Sequence, residues 1–130
     1  VQEGLGHVWH RFSDRGDIGY TTFYATRRFT RAKREACHRL VRGMARAQLA
    51  LFDATPREIA IAVAEFLSEH SRDSLTRIIA SYRAAGLWAR QPDFPAAPFL
   101  RLKAALVSGG LITGDPSYSR VVDEELSRVV

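Results

Sequence analysis

The hydrophobic pattern changes its period once, near Arg28, and that change limits what the chain can fold into. Before it, residues alternate as strands do, with Val8, His10 and Phe12 on one face and Trp9 and Arg11 on the other. Asp14-Arg15-Gly16-Asp17 then has turn composition, with Gly16 free to adopt a positive φ. A second aromatic and β-branched run follows, Ile18-Gly19-Tyr20-Thr21-Thr22-Phe23-Tyr24-Ala25-Thr26. Residues 1–28 therefore read as a β-hairpin or strand pair. Because two strands alone are marginal in water, their faces need a further partner.

After Arg28 the period becomes 3.6. Cys37, Leu40, Val41, Met44 and Leu51 form one stripe, opposed by Arg31, Glu35, His38, Arg42 and Arg46, which predicts an amphipathic helix ending near Phe52-Asp53. Thr55-Pro56-Arg57-Glu58 has the composition of a capping box, and Ile59, Val63, Phe66 and Leu67 supply the stripe behind it. A third helix starts after Ser71 or Asp73, buries Leu75, Ile78, Ile79 and Tyr82, and closes at Gly86. Leu87 to Ala97 reads as a loop. Pro98 opens a fourth helix carrying Phe99, Leu102 and Leu106, and Asp115-Pro116 opens a fifth carrying Tyr118, Val122, Leu126 and Val129.

The fold class expected is α+β, a strand pair followed by about five helices. We expect one partial domain over 1–130, with 1–28 as strands and 29–130 as the helical part. Strands that precede a helical run without a covering helix suggest the end of a larger α/β fold whose early strands precede Val1.

With 130 residues, 46% hydrophobic and 25% charged, the chain has the profile of one folded domain and not of a disordered or repetitive polymer. No apolar run approaches the roughly 20 residues that cross a bilayer. No charged-then-apolar leader is visible after Val1. The net charge of +5 is unevenly placed: residues 1–53 hold ten Lys/Arg against five Asp/Glu, and the remainder hold nine against nine. Arg27, Arg28, Arg31, Lys33, Arg34, Arg39, Arg42 and Arg46 face a single acid, Glu35, a block suited to phosphates or an anionic membrane.

Catalytic signatures are weak. The single cysteine, Cys37, excludes an intramolecular disulfide, and its place on the apolar stripe reads as a structural thiol. His7 and His10 point to opposite faces of a strand, a poor geometry for a shared metal. Gly109-Gly110-Leu111-Ile112-Thr113-Gly114 is glycine-rich but lacks the lysine of a phosphate loop, and reads as a helix cap plus a turn. Arg15-Gly16-Asp17 reads as turn chemistry. Asp123-Glu124-Glu125 reads as a solvated acidic face, with Glu124 and Arg128 paired one turn apart. We expect no enzyme activity, no metal site and no cofactor.

From Asp17 onward, the order of features resembles a known family. The stretches are Gly16-Asp17-Ile18-Gly19-Tyr20-Thr21-Thr22 running into Ala25-Thr26-Arg27-Arg28-Phe29, and Val41-Arg42-Gly43-Met44-Ala45-Arg46-Ala47. Then come Tyr82-Arg83-Ala84-Ala85-Gly86-Leu87-Trp88, Phe99 through Gly109-Gly110-Leu111-Ile112, and Pro116-Ser117-Tyr118 with Val121-Val122-Asp123. Their sequence of occurrence resembles the C-terminal portion of ABC-importer substrate-binding proteins, in the family that binds nitrate, sulfonates, taurine and pyrimidine thiamine precursors. The resemblance implies a two-lobed periplasmic-binding-protein type II fold that clamps solute by hinge closure. It also implies a small anion or heterocycle as solute, an ABC transporter permease and an N-terminal lobe as partners, and a periplasmic or extracytoplasmic location.

On that reading, polar groups where the chain re-enters the first lobe line the cleft, which points to Asp17, Tyr20, Thr21 and Thr22 as ligand-binding residues. Ordinary strand and turn roles account for the same residues, and Trp88 fits packing against a helix. Two other classes stay open: a basic helical module that binds nucleic acid, and a protein-interaction domain without a small ligand, forming a homodimer over the hairpin edge and apolar helix faces.

Overall fold

A computed structural model describes residues 4–128, and among them there is no strand. The expected strand pair is corrected. Phe12–Arg15 coil into a single 3₁₀ turn, and although Gly16 does take a positive φ of 92°, the two β-prone runs do not return alongside one another. The second run docks elsewhere: Gly19 donates its N–H to the Pro98 carbonyl at 3.4 Å, and Arg101 Nη1 donates to the Asp17 carbonyl at 2.9 Å. A strand exists only through its neighbour's hydrogen bonds, so β propensity without a partner yields irregular chain. Among the described residues, the amides of Tyr20 to Ala25 reach no protein acceptor.

The helical part begins with α1 (Arg27–Ala32), capped by Thr26, whose hydroxyl accepts from the Phe29 amide. Lys33, at φ −126° and ψ 34°, breaks the expected single helix and starts α2 (Arg34–Asp53). Although α2 is strongly amphipathic, none of its 20 residues is buried. Cys37 is half-buried, and Leu40 remains exposed.

Helix α3 (Pro56–Val63) opens on the predicted capping box, with Glu58 and Thr55 exchanging bonds and Pro56 in the first turn. It passes into a 3₁₀ turn, Ala64–Phe66, which turns Phe66 out to solvent instead of continuing the apolar stripe. Helix α4 (Arg72–Ala84) is capped by Ser71 and closes at Gly86, which adopts φ 64° as a left-handed cap requires. Ile59 and Ala60 of α3 meet Leu75 and Ile79 of α4, with Leu51, Ala54, Val63, Ala64 and Trp88 packed around them. This is the main core.

Helix α5 (Ala96–Ser108) starts two residues before Pro98, with Pro95 as its N-cap residue. Phe99 is buried beneath Phe94 and Tyr118, whose rings meet it edge-on at centroid distances of 6.2 and 5.5 Å. The expected fifth helix is two single turns, α6 (Tyr118–Val121) and α7 (Glu124–Ser127), separated by extended Val122. Leu126 is buried on α7, which lies against α2; Val129, expected on the same stripe, falls outside the described residues.

These packings leave much surface uncovered. The chain exposes 10620 Å², whereas a compact monomer of this size exposes roughly 6,900 Å².

Candidate functional site

Two places carry functional groups, the predicted segment 17–22 and a groove between α1–α2 and the C-terminal turns.

The predicted site residues sit close in sequence but do not converge on a cavity. Asp17 is held through its backbone carbonyl by Arg101, and its carboxylate is exposed. Tyr20 is 85% exposed, and Thr21 and Thr22 are also exposed. What fixes the segment is Gly19, which is buried under the Phe94 ring. A Cβ there would stand 1.9 Å from Phe94 Cε2, so glycine alone permits this approach. Segment 17–19 is therefore anchored on α5, and Tyr20 to Tyr24 project from that anchor.

The groove was missed by sequence reasoning. It encloses about 370 Å³, open on one side, between Ala25, Arg27, Thr30, Arg31 and Arg34 on one wall and Ser119 to Glu125 on the other. Arg34 spans it, with Nη1 3.2 Å from Asp123 Oδ2 and Nη2 2.7 Å from Glu125 Oε2. Arg27 Nη2 donates to the Arg120 carbonyl at 2.6 Å. The acidic triplet thus serves as a counter-charge for Arg34 as well as a solvated face. Arg31, spaced between these two arginines, faces the groove without an ion-pair partner among the described residues. Only the density of arginine opposite a distant acidic triplet hinted at this, and that separation spans most of the chain.

Chemically, the groove is a latch. Its ion pairs are exposed, and exposed pairs contribute about 0–1 kcal/mol each; the apolar hold on the C-terminal turns comes from Leu126. Nearby, the Tyr118 hydroxyl donates to the Phe94 carbonyl at 2.5 Å. Removal from water, with smaller effects from Glu124 and Asp93, pushes the Tyr118 phenol above its ordinary value of 10.0.

A third cluster is structural. Arg83 donates to the carbonyls of Ala54 and Phe52, closing the C-terminal end of α2, while Arg90 stacks 4.3 Å from the Phe52 ring centroid. Among the described residues no group of three or more His, Cys, Asp and Glu is placed to hold a metal, and no helix is long and apolar enough to cross a membrane. The His10 ring meets the Phe12 ring edge-on at a centroid distance of 4.9 Å. Gly110 and Gly114 both take positive φ, as a helix cap and a turn require.

Comparison of the chain with protein-family models, curated proteins and solved structures gives no match.

Proposed function

We propose that this chain is the C-terminal segment of a solute-binding protein that delivers a small anion or heterocycle to an ABC importer. The ordered run of stretches from Asp17 to Asp123 supports the reading, and the observation that carries it is the uncovered surface. A 20-residue amphipathic helix with no buried residue implies a further packing partner, as does an aromatic run whose Phe23 and Tyr24 are 72% and 96% exposed. The excess of several thousand Å² is more than the roughly 800 Å² per partner that a standard interface removes. It suits a whole lobe of preceding polypeptide better than a second copy of this chain.

In this reading Asp17, Tyr20, Thr21 and Thr22 face the solute once the other lobe stands opposite them, and the chain carries no catalytic role. The periplasm or the outer face of the membrane is its place of work. The test is a thermal-shift screen of the intact gene product against nitrate, alkyl sulfonates and pyrimidines. Selective binding to the native state raises its melting temperature. A flat response to all three classes, or a gene that encodes no further lobe, contradicts the proposal.

A further inference from the structure

The basic block lies outside the role just proposed and has its own geometry. In α2, Arg39, Arg42 and Arg46 fall within an arc of about 60° when residues are placed at 100° intervals, and all three are exposed. Leu40, Met44 and Leu51 fall on nearly the opposite side. Whatever covers the apolar stripe therefore leaves the arginine row facing outward. Among the described residues only Arg34 and Arg42, of the eight cations between Arg27 and Arg46, form ion pairs. Arg28, Arg31, Lys33, Arg39 and Arg46 are exposed and unneutralised, a concentration of charge found nowhere else among the described residues.

We infer that the outer face of α2 docks on an anionic lipid surface. Three features favour a membrane over nucleic acid. The row lies along a helix about 30 Å long, so its guanidinium groups share one side and meet a flat surface together. Glu35 and Asp53 share that side and bracket the row. Glu35 is neutralised by Arg42 at 2.9 Å, so the acid that counts is Asp53, which mobile headgroups avoid and the fixed phosphate line of a duplex meets. Leu49 stands one turn beyond Arg46 and two beyond Arg42 on the same side and is 62% exposed, an apolar tip suited to the headgroup boundary. The chemistry recognised is the lipid phosphate, held by guanidinium hydrogen bonds and by the negative surface potential.

The experiment is co-sedimentation of the chain with phosphatidylcholine vesicles prepared with and without phosphatidylglycerol. Binding is expected only to the anionic vesicles, and it falls steeply as salt rises from ~0.05 to ~0.5 M. Each Arg→Gln change at Arg39, Arg42 or Arg46 weakens it about fivefold, and the triple change about a hundredfold. Where the triple variant fails to keep the helical circular dichroism of the parent, Arg39→Gln with Arg46→Gln gives the same reading through two exposed positions. Equal sedimentation with neutral vesicles, indifference to the arginine changes, or preference for duplex DNA over phosphatidylglycerol vesicles overturns the inference. Because vesicle binding is read on this chain alone, its failure leaves solute recognition by the intact protein untouched.

Discussion

Two hydrogen bonds from Thr55, one from its backbone N–H and one from its hydroxyl, both at 2.7 Å, hold the Glu58 carboxylate at the start of α3. The backbone bond first, and the hydroxyl bond second, lower the Glu58 pKa from its ordinary 4.5. A carboxylate lowered in the folded state stabilises the fold above its unfolded pKa, and that contribution disappears as pH falls through the lowered folded value. In acid titrations of stability, the parent therefore loses stability below pH 4.5 more steeply than Glu58→Gln, which cannot titrate. Thr55→Ala costs about 1 kcal/mol at neutral pH, read from urea unfolding. The same acid slope in Glu58→Gln and the parent contradicts the assignment. Such caps were legible in the sequence because every partner lies within four residues: Thr55 with Glu58, Ser71 with Ser74, and Gly86 closing α4.

At the scale of elements, stability concentrates where α3 and α4 exchange side chains. Ile79 is buried among Ile59, Ala60 and Leu75, so Ile79→Ala removes most of a core side chain and costs about 2–5 kcal/mol. The matched change Leu40→Ala, on the exposed part of α2, costs well under half as much in the isolated chain. Equal losses at the two sites contradict a core centred on α3 and α4. The periodicity located Ile59, Leu75, Ile79 and Phe99 correctly because an amphipathic helix writes its buried face into local spacing. Sheet pairing is written nowhere locally. Ile18 to Thr26 has strand composition, yet Gly19 rests under Phe94 and bonds to Pro98, contacts that no spacing rule anticipates. The Arg34 latch escaped for the same reason, since its acids lie at Asp123 and Glu125.

For the whole molecule, the proposed function requires that the surface of Tyr20 to Tyr24 and the apolar face of α2 lie against further polypeptide of the same protein. In this chain Tyr20 to Tyr24 are exposed and the α2 stripe is only half-buried, and the surface exceeds that of a compact monomer by about half. In the proposed function, Thr21 and Thr22 act only once that cover arrives. Hydrogen exchange reports the cover directly, because an amide without an acceptor exchanges freely and one placed in a lasting hydrogen bond does not. The decisive measurement compares amide exchange at residues 20–25 in this chain and in the intact gene product. We predict exchange close to the unprotected rate in the chain alone and slowing of at least ~100-fold in the intact protein. Equally fast exchange at these amides in both, or strong protection already present in the chain alone, contradicts the account.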